Sequence, residues 1–301
     1  GDFDTVIVHT FEDQIGGGRI IEGITLVNAS GTVNIDDGTY EESDIAVEKL
    51  VTIDGESKAG VIVSPGVLDT GGAGLFSAGA HSAFILGVDG ITIQDLTIDG
   101  EAGSVAAGSR HFRGGVVVNP ADVDSPIDNL TITNVAVTNT STVGIYLDGG
   151  VGSASSGHSI TNNVIDDIGG IGDPTGILLL QASATVDNNM IDHVDVGIGT
   201  NIIDDPAFAP TVTITNNAIG TGGAGSVDVG MNLSGLADTS LIGGTGNGNT
   251  IDTTGDFGVA APQAQGSDTF TDSGQSLGWG YSRGIALGDV DNDGDLDAFV
   301  A

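Results

Sequence analysis

One short phrase returns at nearly constant intervals, and it limits this chain more than any other feature. The copies are Ile132-Thr133-Asn134, Ile160-Thr161-Asn162-Asn163, Val186-Asp187-Asn188-Asn189 and Ile214-Thr215-Asn216-Asn217. Their first apolar residue steps by 28, 26 and 28 positions. After a turn each copy is followed by a second apolar phrase: Gly144-Ile145-Tyr146-Leu147, Gly176-Ile177-Leu178-Leu179, Gly197-Ile198-Gly199, then Val227-Asp228-Val229. Apolar and polar residues alternate within these phrases, a period near two that specifies strands, not helices. A strand pair repeated at this interval cannot bury its apolar face alone. It must stack on copies of itself.

An earlier copy runs from Ile91 to Ile98, with Gly115-Val116-Val117-Val118 as its partner strand, and a degenerate last copy spans Asn249-Thr250-Ile251 to Gly258-Val259-Ala260. The predicted fold class is therefore all-β, a parallel β-helix. Roughly nine coils at about 4.8 Å give an expected rod of some 45 Å. Asn134, Asn162, Asn188 and Asn216 are expected to stack as one ladder, because Asn tolerates a left-handed backbone and its amide can bond to the next Asn. The Asn-x-Ser/Thr triplets at Asn129, Asn139 and Asn232 are read as turn chemistry rather than glycosylation sites.

The chain divides into an N-terminal extension (1–18), the β-helix (19–263), a polar Gly/Ser-rich linker (264–281) with one strand at Asp268 to Thr271, and a final segment (282–301). Ile20, Ile24 and Val27 share one helical face, which predicts a short amphipathic helix from Arg19 to Ala29 covering the first coil. Beyond it come Thr32-Val33-Asn34-Ile35-Asp36-Asp37-Gly38-Thr39-Tyr40 and Leu50-Val51-Thr52-Ile53-Asp54-Gly55. Residues 19–263 thereby resemble bacterial right-handed β-helix proteins of the pectin-lyase-like superfamily. That resemblance implies the right-handed form of the fold; lyases, hydrolases, epimerases, adhesins and inert stalks all use it, so activity is left open.

With 51 glycines and only 4% aromatic residues, the core must be built of Val, Ile, Leu and Ala. The 41 acidic residues against six Lys and Arg leave a net charge of -35, which repels nucleic acid and makes cations the natural counterions. Without cysteine there is no disulfide framework. Apolar runs such as Ile177-Leu178-Leu179-Leu180 are too short for membrane insertion. A secreted or cell-surface location is expected, any leader having been removed before Gly1.

The sharpest motif is Asp289-Val290-Asp291-Asn292-Asp293-Gly294-Asp295-Leu296-Asp297. Carboxylates at loop positions 1, 3, 5 and 9, with Gly at 6, suit a hard cation that takes six to eight oxygens. Position 12 lacks the bidentate Glu of an EF-hand, and β-type segments flank the loop. Residues 282–301 resemble a calcium-binding repeat of the FG-GAP or VCBS type. That resemblance implies side-chain ligation of calcium by Asp289, Asp291, Asp293 and Asp297, with the carbonyl of Asp295 as a further ligand. Such repeats close β-propellers in several copies. One copy cannot, so it is either part of a longer array or has another use.

Candidate catalytic groups are sparse. Arg110 and Arg113 flank His111 in an irregular insertion between Gly100 and Gly114, where a lyase of the resembled fold would need a basic group; salt bridging is the favoured role. Asp166-Asp167 with Gly157-His158-Ser159 is only faintly similar to a polygalacturonase arrangement, with no Arg-x-Lys following. Asp204-Asp205 reads as solvated, and His81, His158 and His193 lack metal spacing. Nothing assembles a nucleophile, a base and an orienter, so no catalytic residue is assigned.

Two readings follow. The first is a calcium-stabilised structural or adhesive module. The second is a polysaccharide-binding or polysaccharide-degrading β-helix with the Arg110–Arg113 loop over a groove. The segment from Ile285 to Val300 has too few apolar residues for its own core and is expected to dock. It would cap its own solenoid or, on a second copy, build a head-to-tail filament.

Overall fold

The structure, a computed structural model, describes residues 3–9, 19–71, 74–101, 111–119, 126–150, 152–170, 173–201, 208–222, 227–237, 240–242, 248–252, 257–260, 285–288 and 297–300. It divides into two units, Gly1–Gly266 and Ser267–Ala301.

The first unit is a parallel β-helix. The chain visits three sheets in turn, and the strand orders give nine, eight and eight members. A central rung consists of Thr131–Thr133 in the first sheet, Ala136–Thr138 in the second and Val143–Asp148 in the third. The next rung repeats this with Ser155–Thr161, Val164–Asp166 and Thr175–Leu180. Eight rungs carry all three strands. The ninth strand of the first sheet is Phe3–Val8, within the stretch read as an extension; it pairs parallel with Val27–Ile35 outside the first rung.

Three apolar ladders fill the core. Ile53, Ile93, Ile132, Ile160, Val186 and Ile214 stack in register from the first sheet. Ile98, Val137, Ile165, Ile191 and Ile219 stack from the second. Phe84, Val116, Ile145, Ile177, Ile198 and Met231 come from the third. All are fully buried, and each contributes roughly 2 kcal/mol of apolar burial. The third-sheet ladder needs glycine beside it. A Cβ on Gly144 would lie 2.6 Å from the Gly176 carbonyl oxygen and 2.7 Å from Ile165 Cγ2. In the seventh rung that glycine is Gly230, so Gly230-Met231-Asn232 is the equivalent phrase. Val227-Asp228-Val229 precedes it, with Val229 opposite Val196.

The expected ladder of asparagines is real at its backbone and displaced by one residue at its side chains. Asn134, Asn162, Asn188 and Asn216 all take positive φ, between 52° and 60°, and turn the corner between the first and second sheets. Asn188 Nδ2 donates to Asn162 Oδ1 at 2.7 Å, whereas Asn134 and Asn216 donate to Asp95 and Asp187. The continuous ladder is the inner one: Asn163, Asn189, Asn217 and Asn249. Asn189 Nδ2 donates to the Ile160 carbonyl and to Asn217 Oδ1, both at 2.9 Å. Its Oδ1 accepts the Asn163 backbone N–H at 2.9 Å and Asn163 Nδ2 at 3.0 Å. Asn217 repeats the pattern with Asn249. A buried amide with both ends used is stable inside an apolar core.

The N-terminal helix spans Ile20–Leu26, shorter than Arg19 to Ala29, because Val27 already takes extended backbone and opens the first-sheet strand. Ile20 and Ile24 are buried as expected. A seven-residue helix is marginal alone, and two charged side chains from the first rung hold its ends. The buried Glu42 carboxylate accepts the N–H groups of Ile20 and Ile21. Lys49 Nζ donates to the carbonyls of Ile24, Thr25 and Val27 at 2.7 to 3.1 Å. Anion at the N-terminus and cation at the C-terminus match the helix dipole. Among the described residues no helix is long and apolar enough to cross a membrane.

In the second unit, Ile285–Gly288 and Asp297–Val300 form an antiparallel pair in which Gly288 faces Asp297.

Candidate functional site

From Thr92 to Ile219 the corner between the first and second sheets stays two residues long, and the longest described excursions fall at the other two corners. The largest described one, 65–81, leaves the second rung after Ser64 and returns at Ser82. Asp69 anchors it. Its Oδ1 takes the Gly71 N–H at 2.8 Å, its own N–H donates to His111 Nδ1 at 3.1 Å, and Arg113 grips its carboxylate through both Nε and Nη2. Arg113 Nη2 also reaches the Gly71 carbonyl at 3.0 Å. Burial raises the Asp69 carboxyl, but the Arg113 hydrogen bonds, the Gly71 amide and the cationic field outweigh it and hold it below the usual carboxylate value. Beside this, His81 Nδ1 lies 2.6 Å from Asp44 Oδ2, whose other oxygen accepts the Ser82 N–H.

This excursion covers an apolar surface outside the core. Ile85, Val117, Tyr146 and Leu178 form one outward column of the third sheet, in register from rung to rung. With Val143, Leu180 and the excursion's Leu75 they make a second apolar cluster, separate from the interior. Phe76 stands edge-on to Tyr146 at 5.6 Å between ring centroids and remains 40% exposed. The Tyr146 hydroxyl donates to Asp148 Oδ2 at 2.5 Å. Burial, then the bond to that carboxylate, pushes the phenol well above its ordinary pKa. Further along the column Gly199 and Asn232 follow, so the surface steps down past Leu178.

The other singled-out residues are scattered. Arg113 is in a buried ion pair, 2% exposed, which is the salt-bridging role expected of it; Arg110 and Asp204-Asp205 lie outside the described residues. His158 is interior. Burial lowers its pKa to about 4, and its Nδ1 accepts the Leu130 N–H at 3.3 Å. His193 is exposed at the second-to-third corner, paired with Asp166 at 2.7 Å, and that hydrogen bond raises its pKa. Asn129 and Asn139 are left-handed corner residues and Asn232 is exposed on the third sheet. Of the aspartate loop, Asp289, Asp291, Asp293 and Asp295 lie outside the described residues, and Asp297 opens the last strand. Among the described residues no group of three His, Asp or Glu is placed to hold a metal.

No motif or spacing points directly to the outward cluster. Tyr146, Leu178 and Leu180 read simply as members of apolar strand phrases. The signal was that these phrases are apolar on both faces, where a half-solvated strand alternates.

The chain matches no protein-family profile and no curated protein. Among solved structures it is similar to the pectin methylesterase PemA from Erwinia chrysanthemi, with 16% identity, 75% of this chain and 70% of that chain covered, and a TM-score of 0.43. A pectin methylesterase from Aspergillus niger gives 15% identity over 88% of this chain and 87% of that one, TM-score 0.44. A PL6-family alginate lyase gives 13% identity over 83% and 39%, TM-score 0.43. Likeness at this level carries no argument about activity.

Proposed function

We propose that this protein is an extracellular adhesive β-helix that binds polysaccharide on the outer face of its third sheet, without cleaving it. One observation carries the reading: beside the loop-covered cluster, Phe76 is exposed and Leu178 and Leu180 are half-buried, which leaves an apolar and aromatic strip open on the outer face of the sheet. The C–H faces of sugars pack on such surfaces while carboxylate and hydroxyl groups fix their orientation. The groups a cleavage reaction would use are committed elsewhere among the described residues: Arg113 to Asp69, and His158 to the interior. Affinity electrophoresis of the full chain through a panel of polysaccharides tests this. Retardation by at least one polymer is expected, with no new reducing ends and no absorbance from new double bonds. Retardation by none would overturn binding, and product formation would overturn the non-catalytic reading.

The aspartate loop is proposed as a calcium site that stiffens the C-terminal hairpin. The pairing of Gly288 with Asp297 supports it, since it brings both ends of the loop together. Calcium is expected to raise the melting temperature, and Asp291→Ala to remove most of that gain.

A further inference from the structure

Resting on the polysaccharide-binding reading, we infer that the outer face of the third sheet is built for an uncharged polysaccharide, not for a polyuronate or a sulfated polymer. The inference comes from what surrounds the cluster. Asp148 sits two residues past Tyr146, where its strand ends, buried and hydrogen-bonded to Tyr146 and to the Gly150 N–H at 2.8 Å. Along the opposite margin, where the third-sheet strands begin, Asp195 and Asp228 stand on adjacent rungs in register, with Asp173 beside them. These three lie close enough that burial and then the charges of Asp228 and Asp173 raise the Asp195 carboxyl.

Cations to offset them are missing from the described part of this face. Arg113 is buried and bound to Asp69 and Gly71, and His81 is paired with Asp44. A polymer with a carboxylate or sulfate on each sugar would meet the carboxylates of Asp195 and Asp228 on one margin and lie in the field of the buried Asp148 on the other, within a chain of net charge -35. Each repeat would add repulsion across distances shorter than a Debye length. A neutral polymer meets none of this. Its hydroxyl groups exchange hydrogen bonds with the side-chain amides of Asn201 and Asn232, which are exposed on the following rungs. Its apolar edges rest on Phe76, Leu178 and Leu180, with Gly199 leaving room between rungs.

The test measures binding of the full chain to a neutral β-glucan and a neutral galactomannan, against polygalacturonate and alginate, in chelator and then in calcium. One neutral polymer is expected to bind at least about tenfold more tightly than either polyuronate at low salt, and added salt is expected to narrow that gap. Phe76→Ala and Leu178→Ala, both at partly exposed positions, should each weaken neutral binding about tenfold with the melting temperature held within a few degrees. Polyuronate binding as tight as neutral binding, with or without calcium, overturns the uncharged-ligand inference and leaves polysaccharide binding standing. Neutral binding untouched by both substitutions overturns the placement on this face. Retention of none of the four polymers removes the parent reading and this one together.

Discussion

The corner joining the first and second sheets and the corner joining the second and third solve the same problem by opposite means. Both must turn the chain and satisfy backbone groups beside an apolar core. The first uses one left-handed residue and an inner asparagine whose bonds all run to the rungs above and below. The second lets the chain leave the coil, and ties the excursion down with groups met only once: Asp69, His111 and Arg113. Repetition makes a corner stable and holds it to two residues wherever the left-handed asparagines stack, from Asn134 to Asn216. A unique anchor costs a buried ion pair and frees a loop to carry Leu75 and Phe76 over the sheet.

If the asparagine corner is a shared structure, breaking it once should weaken the whole solenoid. Asn189→Ala strands the Asn163 amide, the Ile160 carbonyl and part of Asn217 in the core. A loss of about 5 kcal/mol is expected in urea unfolding, from several buried groups at 1–3 kcal/mol each. The anchored corner should fail locally. Arg113→Leu leaves the Asp69 carboxylate buried and unpaired, an effect of about 4 kcal/mol. Hydrogen exchange should rise across residues 69–80 while the apolar ladders stay protected. Equal exchange everywhere would erase the contrast.

A polar group buried without a ladder sharpens the comparison. His158 carries no bond on Nε2 among the described residues, and burial sets its folded pKa at about 4, below the ordinary imidazole value of 6.5. The unfolded chain therefore binds the proton more tightly. This contribution is complete above pH 6.5 and is lost as pH falls toward 4, amounting to about 3 kcal/mol. The pH dependence of unfolding should flatten over that window in His158→Leu. The smallest effect belongs to the outer corner residue: Asn188→Gly keeps the left-handed turn and loses one exposed bond to Asn162, for about 0.5 kcal/mol by denaturation. Asn188→Ala should cost more, since a Cβ disfavours positive φ.

The repeating part was the legible part. Periods of 28 and 26 with alternating apolar residues place the strands near Ile132, Ile160, Val186 and Ile214, because a ladder needs the same residue at the same step. The doublets Asn162-Asn163 and Asn188-Asn189 even hold the inner ladder in plain view. Which asparagine turns inward is decided by the left-handed φ of the first, and spacing does not reveal that. The site is less legible for the same reason. Asp69 and Arg113 are separated by 44 positions and belong to no repeat, so no periodicity connects them. Helix length was overestimated because Val27 suits a helical face and a strand equally well.

The inner asparagine ladder has a bearing on how such chains change over generations. Each of its middle members touches, above and below, a residue identical to itself. A stretch of one period, such as Asn189 to Asn216, could be duplicated in the gene and would meet its own image on both sides. Every amide would find the partner it already has, and the apolar ladders would gain one more step of the same kind. The length of the solenoid can therefore drift by whole rungs without any compensating substitution. An extra residue inside the Arg113–Asp69 corner has no such neutral route, because nothing else among the described residues duplicates its partners.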